Sequence, residues 1–214
     1  YQIKSLLIKE SLKLEKNTCL GIFIKCSMSD DDILEISKEL NFQKTKQFKT
    51  WIYPPNYSES RKTTDEIMLN GIKWESITRT KAPNVLKILQ NNFSPYVNRI
   101  LDTQISDIIQ MQRKDNGILS IPDKELILLC LINLNFSISA HEIHIMRSTI
   151  WHEIIDTYLD KVISKLYKVY PLPCIYSASE DSQLNKCLNN LSLQCQTDTI
   201  LLAKTGLKRR ELKL

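Results

Sequence analysis

Glycine is rare in this chain, with 4 glycines among 214 residues. Glycine supplies the positive-φ positions of tight β-turns and the close backbone approaches of phosphate-binding loops. A chain this poor in glycine is expected to avoid turn-rich β-sandwiches and nucleotide-binding α/β folds. Helices joined by polar loops need few glycines. We therefore predict an all-α fold, a multi-helix bundle of roughly eight to ten helices.

Apolar residues recur at helical spacing along much of the sequence. The predicted helices span residues 3–16, 29–40, 65–81, 83–91, 95–113, 126–134, 148–169, 180–193 and 197–207, with the weakest pattern at 65–81. The strongest pattern lies at 148–169, where two adjacent i+4 rows of apolar residues predict a long helix with a wide buried face. Residues 19–26 allow either a short strand or a buried helical turn.

Two prolines divide the chain near its first quarter. A further helix is predicted from Gln43, and it must end at Pro54 because proline cannot continue a helix. The polar residues that follow are the best candidate for a hinge. We therefore predict a small helical subdomain at 1–55 and a larger helical bundle at 56–214, sharing one core. Because the sequence begins with tyrosine inside a helical pattern, we expect it to be part of a longer protein.

Residues 36–52 hold two predicted short helices joined at Asn41, which form a plausible helix-turn-helix pair. The segment 47–51, Gln-Phe-Lys-Thr-Trp, resembles the start of the recognition helix in the homeodomain family. That resemblance implies DNA binding, with Phe48 and Trp51 in the core. It is limited to residues 36–52, and the helix must end where the family's base-reading residues would follow. Simple packing in the core is therefore the alternative interpretation.

Positive charge is concentrated in residues 41–90, which carry nine basic and four acidic side chains, a surplus equal to the whole net charge of +5. A localised basic region favours a polyanionic partner, although a solvated surface explains it equally. The basic end at 208–214 is similar to a helix of the Treslin family of replication-initiation scaffolds, which implies a role in DNA replication. The candidate nucleic-acid-binding residues are Lys44, Lys46, Lys49, Arg61, Lys62, Arg79, Lys81, Lys208, Arg209 and Arg210.

The sequence suggests no catalytic residue, no metal site and no cofactor. The phosphate-loop, dinucleotide-binding and nucleophile-elbow motifs are all missing from it. His144 and His152 would lie about 12 Å apart on a helix, too far to share one ion. A metal bound by His141 and His144 with a distant Glu or Cys stays open as a less favoured alternative. Residues 138–145 also alternate like a strand, which would orient the histidines differently.

These features favour a non-catalytic docking or scaffold domain of a larger intracellular protein, with the nucleus favoured over the cytoplasm. It would bind a partner protein, with Trp74, Tyr53 and Tyr57 as candidate contacts. Nucleic-acid binding through residues 41–90 and an enzyme of unrecognised type are the alternatives. No small-molecule substrate is evident. No membrane partner is expected, because the longest apolar run is far shorter than the roughly 20 residues of a spanning helix.

Overall fold

The computed structural model of the chain describes residues 2–14, 21–52, 73–110, 117–120, 128–132, 142–169 and 174–205. The helices are α1 (Gln2–Leu14), α2 (Asp31–Glu39), α3 (Ala82–Asn92), α4 (Pro95–Leu101), α5 (Ile105–Gln110), α6 (Ile154–Val169) and α7 (Ser182–Asn190). The strands are β1 (Gly21–Ser27), β2 (Gln43–Ile52), β3 (Lys73–Ser76), β4 (Gly117–Ser120), β5 (Leu128–Ile132), β6 (Glu142–Arg147), β7 (Cys174–Ala178) and β8 (Gln194–Thr205). The fold is therefore α/β, and the prediction of an all-α bundle is wrong.

All eight strands form one mixed sheet in the order β1-β8-β2-β7-β6-β5-β4-β3. Neighbouring strands are antiparallel except β6 and β7, which are parallel. Parallel neighbours need a long crossover between them, and α6 provides it. This crossover helix is the long amphipathic helix that the sequence predicts most strongly. Helices α1, α2, α3 and α7 also confirm predicted helices.

Strands occupy four stretches in which helices are predicted: 43–52, 73–76 within the helix predicted at 65–81, 128–132, and 194–205, which overlaps the helix predicted at 197–207. The helix-turn-helix prediction is therefore wrong, because its second helix is strand β2. This strand pairs with β7 and β8, which follow it by more than a hundred residues. Such long-range pairing overrides local helical spacing. Phe48 and Trp51 are buried as predicted, but on opposite faces of a sheet.

The low glycine content did not prevent a sheet, because other residues take the left-handed backbone positions. Asn41 and Ser192 have φ values of 61° and 64°. Each follows a helix and begins the turn into a strand. Asp102 (φ 44°) ends α4 in the same way and divides the helix predicted at 95–113. Asparagine and aspartate tolerate this conformation through local hydrogen bonds.

Two β-α-β units of similar construction form one half of the sheet, from its β1 edge to β7. One is β1-α2-β2 and the other is β7-α7-β8. Helices α2 and α7 both have nine residues, an aspartate N-cap (Asp30 and Asp181) and a leucine C-cap (Leu40 and Leu191). In the order β1-β8-β2-β7, the strands of one unit alternate with those of the other.

Helices cover both faces of the sheet. On one face, α6 and α7 pack on the residues around Trp51, Ile143 and Ile175, while α1 and α2 pack near Ile200 and Leu202. On the other face, α3, α4 and α5 cover Phe48 and Tyr176. Strands from both sides of residue 55 share the sheet; the division into 1–55 and 56–214 stays a prediction. None of the described helices is long and apolar enough to cross a membrane.

Candidate functional site

The parallel strands β6 and β7 pair over a short distance and then part. Their ladder runs from Glu142 with Cys174 to His144 with Tyr176. Beyond that point, β6 continues along β5 and β7 continues along β2. On the β7 side, main-chain groups of residues 145 and 146 therefore face a gap instead of a paired strand, and the carbonyl oxygen of Arg147 accepts from Nδ2 of Asn92 at 3.1 Å. Such an edge can bind an extended ligand that carries amide groups.

A lysine, a glutamate and a histidine are buried together beside this gap. The ammonium of Lys25 lies 2.5 Å from Oε2 of Glu142, and the same oxygen lies 3.8 Å from Nε2 of His144. The three side chains are 3%, 7% and 1% exposed. Burying charged groups is costly unless they are paired, and strongly perturbed titrating groups concentrate at functional sites. We call Lys25, Glu142, His144 and the neighbouring Tyr176 the buried charge cluster.

Aromatic rings enclose His144. Its imidazole stacks on Tyr176 with ring centroids 4.9 Å apart, and the ring of Phe48 meets it edge-on at 5.4 Å. The ammonium of Lys25 lies 3.6 Å from the centre of the Tyr176 ring, a cation–π contact. The ion pair therefore lies in apolar surroundings, where pKa values move furthest from their ordinary values.

Burial decides the direction of the pKa shift for His144 and Lys25, whereas contacts decide it for Glu142. Burial lowers the pKa of His144 to about 4, although the contact with Glu142 acts in the opposite direction. It also lowers the pKa of Lys25 despite the Glu142 carboxylate. Burial alone would raise the pKa of Glu142, but the contacts with His144 and Lys25 outweigh it and lower that pKa to about 2. At pH 7, Glu142 is ionised and His144 is a neutral imidazole that can accept a proton.

A small cavity lies where the two strands part. Its volume is about 10 Å³, and its lining residues are Lys46, Phe48, Asn92, Phe93, His144, Ile145, Met146, Tyr176 and Ala178. This is the size of one water molecule. A ligand that reaches His144 through this cavity must therefore displace side chains.

Arg147 closes the far end of the gap. Its Nε and Nη2 donate to the two carboxylate oxygens of Asp181, at 2.7 and 3.1 Å. Its Nη1 donates to the carbonyl oxygens of Ser148 and Thr149, and the guanidinium lies 5.3 Å from the Trp151 ring. Arg147 thus joins the end of β6 to the N-cap of α7 and positions the loop that leads to α6.

Lys46 lines both the cavity and a wider groove at the surface. The groove is bounded by residues 44–47 of β2 and by Ser179 and Glu180 after β7. The ammonium of Lys46 forms an ion pair with Glu180, and the two side chains are 12% and 62% exposed. The cation is therefore mostly buried, whereas its anionic partner lies at the surface.

The basic residues singled out in the sequence lie in several settings. Lys44 and Arg79 are exposed, and Lys49 and Lys81 are half-buried. Lys46 alone among the candidates that the structure describes lines the cavity. Trp74 belongs to β3. The remaining candidates lie outside the described residues: Tyr53, Tyr57, Arg61, Lys62, His141, Lys208, Arg209 and Arg210.

Sequence reasoning missed Lys25, Glu142 and Tyr176. One signal was available for Lys25, which interrupts the apolar run of residues 21–26 and is therefore a charge inside a buried segment. For the metal alternative, the described residues contain no group of three histidine, cysteine or acidic side chains that could hold an ion.

No protein-family model and no curated protein matches the sequence. Among the solved structures that are similar in fold are the following three. A proposed acetyltransferase of Pyrococcus horikoshii has a TM-score of 0.52 and 10% identity, covering 95% of this chain and 60% of its own. A GCN5-related N-acetyltransferase of Kribbella flavida has a TM-score of 0.50 and 8% identity, covering 93% of this chain and 73% of its own. A protein of unknown function from Staphylococcus epidermidis has a TM-score of 0.53 and 12% identity, and the match covers 96% of this chain and 80% of that protein.

The chain therefore has the α/β fold seen in GCN5-related N-acetyltransferases. The interpretation as a non-catalytic docking domain is wrong, because it rested on an all-α core and the similar structures include enzymes. The DNA-binding alternative and the replication role are wrong for the same reason. The expectation of a macromolecular partner without a small-molecule substrate is corrected with them, because two of the proteins with a similar fold are named acetyltransferases. The nuclear location stays a prediction.

Proposed function

We propose that this chain is an N-acyltransferase, which moves an acyl group from a thioester such as acyl-coenzyme A to an amine. The observation that carries this proposal is the parting of β6 and β7 beside His144, which burial keeps neutral. The names of the Pyrococcus and Kribbella proteins support acetyl transfer as the chemistry of the fold.

The gap fits the amide-bearing arm of coenzyme A better than the diphosphate. Main-chain groups of residues 145 and 146 would pair with that arm as a strand would. A diphosphate would depend on the N-terminus of α6, where main-chain N–H groups favour anions. However, the preceding loop at 148–153 has no glycine, Glu153 and Asp156 add negative charge there, and Arg147 is engaged by Asp181. We therefore expect the donor to bind mainly through its amide arm.

The buried charge cluster supplies the proton transfer. A bound acyl-coenzyme A offers an activated carbonyl carbon and a thiol leaving group. His144 accepts a proton from the attacking nitrogen as the C–N bond forms, while the C–S bond breaks and its electron pair goes to sulfur. The Glu142 carboxylate stabilises the imidazolium that results. The proton then passes to the thiolate, which leaves His144 neutral for the next turnover.

The test measures thiol release from acetyl-coenzyme A with a panel of primary amines, and the acylated amine by mass spectrometry. We expect amine-dependent release, and a rate about 10²- to 10⁴-fold lower in His144→Gln, as for the loss of a general base. The unfolding transition of His144→Gln serves as the control for folding. Absence of acylated product from the folded wild-type protein with every donor and amine would contradict the proposal.

A further inference from the structure

We propose that the acceptor amine carries a carboxylate, and that Lys46 binds this carboxylate in the position that Glu180 occupies in the free protein. This inference rests on the N-acyltransferase activity proposed above and names the class of its acceptor, a short amino acid. It follows from three observations around Lys46.

The Lys46–Glu180 pair is unequal in its burial. The lysine side chain is 12% exposed and the glutamate side chain is 62% exposed. Lys46 also lies 6.0 Å from the centre of the Phe93 ring, which keeps its ammonium at the cavity. The mostly buried ammonium of Lys46 needs an anionic partner, whereas the largely solvated carboxylate of Glu180 gains little from the pair. A carboxylate that arrives from solvent can therefore replace Glu180 with little loss.

The backbone holds Lys46 in place before any ligand arrives. The register of β2 against β8 shifts between Lys44 and Lys46, and Thr45 Oγ1 donates to the carbonyl oxygen of Leu201 at 2.7 Å. Lys46 lies two residues before Phe48 and therefore on the same face of the strand, opposite Leu201. A side chain already ordered in the free protein loses less conformational entropy when it binds a ligand.

Lys46 lies between the groove and His144. It lines the surface groove, whereas the register shift pairs Lys44 with Leu202 and so turns that side chain to the opposite face of the sheet. Lys46 also lines the cavity together with His144. Phe48, two residues along the same strand, contacts the His144 ring. One side chain therefore separates the anchoring ammonium from the proton acceptor. Because Lys46 and His144 line the same small cavity, we expect a substrate whose amine and carboxylate are only a few bonds apart.

The test compares acceptors that differ only in the carboxylate: L-alanine with L-alaninamide, and β-alanine with β-alaninamide. For the wild-type protein, we expect kcat/KM to be about 10- to 100-fold higher for the acids, the range of one charge-assisted hydrogen bond. Lys46→Met should abolish this preference. Glu180→Gln should lower KM for the acids and leave the amides unchanged. Equal kcat/KM for acid and amide in the wild type, or a preference that survives Lys46→Met, would overturn the inference.

A binding measurement separates this inference from the proposed function. Calorimetry with N-acetyl-L-alanine and N-acetyl-L-alaninamide requires no turnover. We expect only the acid to bind, more tightly to Glu180→Gln and not to Lys46→Met. If that pattern occurs but no amine is acylated, the proposed function fails and the carboxylate site stands. If amines are acylated but the acid binds no better than the amide, the carboxylate inference fails alone.

Discussion

The carboxylate of Glu142 lies 2.5 Å from the ammonium of Lys25, although 117 positions separate the two residues in the chain. Lys25 is on β1 and Glu142 is on β6, with three strands between them in the sheet. Four strand spacings would measure about 19 Å in a flat sheet, more than these side chains can span. The sheet must therefore curl toward the face covered by α3, α4 and α5. This curvature creates the buried charge cluster.

Removing one partner of this pair should be costly. In Lys25→Met, the Glu142 carboxylate stays buried without its cation, and we expect the free energy of unfolding to fall by about 3–5 kcal/mol. The double variant Lys25→Met/Glu142→Leu removes both charges and should recover most of that loss. Urea denaturation of the two single variants and the double variant gives the coupling energy. Additive losses in the double variant would show that the two side chains do not interact.

Stability should fall as the pH drops below 6.5, because burial depresses the pKa of His144. In the unfolded chain the imidazole has its ordinary pKa of 6.5, whereas in the folded protein the value is about 4. Between these values the unfolded state binds one more proton, so each pH unit lowers the free energy of unfolding by about 1.4 kcal/mol.

Denaturation at pH 7.0, 6.0 and 5.0 measures the change in the free energy of unfolding per pH unit. In the control variant His144→Gln, this change should be smaller. Glu142, whose pKa is 4.5 in the unfolded chain and about 2 in the folded protein, adds a loss of the same sign as the pH approaches 5, and the comparison with His144→Gln separates the two groups. A slope that is the same in the wild type and in His144→Gln would show that His144 is not the group responsible.

The two similar β-α-β units provide a matched comparison of their N-caps. In one unit, Arg147 binds Asp181 with both carboxylate oxygens, and the side chains are 15% and 13% exposed. In the other, Lys4 binds Asp30 at 3.0 Å on the surface. We expect Arg147→Met to reduce the free energy of unfolding by about 1–3 kcal/mol, and Lys4→Met to have a much smaller effect. Thermal and urea denaturation measure the stability of both variants. Equal losses of stability would contradict the difference in burial between the Arg147–Asp181 and Lys4–Asp30 pairs.

The same units provide a test of backbone strain. Ser192 and Asn41 hold positive φ values, which glycine adopts without steric cost. We expect Ser192→Gly to raise the free energy of unfolding by about 1 kcal/mol, and Asn41→Gly by less, since asparagine already tolerates this conformation. Asn41→Val is the control that should destabilise, because β-branched residues are strained there. Destabilisation by both glycine variants would show that the native side chains make compensating contacts.

Prediction of the site from sequence was limited to single residues. His144 was considered as a metal ligand and Lys46 as a nucleic-acid contact, so two participants were noticed for other chemistry. Glu142 and Tyr176 carried no signal, because a glutamate at the start of a strand and a tyrosine inside one are ordinary in sequence. Their significance comes from the ladder that sets His144 opposite Tyr176 and from the curl that brings Lys25 to Glu142.

The sequence by itself determined the amphipathic helices, and α6 above all. A helix satisfies its main-chain hydrogen bonds within its own segment, so its apolar spacing can be read locally. The tertiary structure alone decided that 43–52, 128–132 and 194–205 are strands and that Lys25 shares one buried site with the distant Glu142 and His144. A strand obtains its hydrogen bonds from other parts of the chain. Its identity, and every contact made across the sheet, therefore depends on residues that local patterns do not connect.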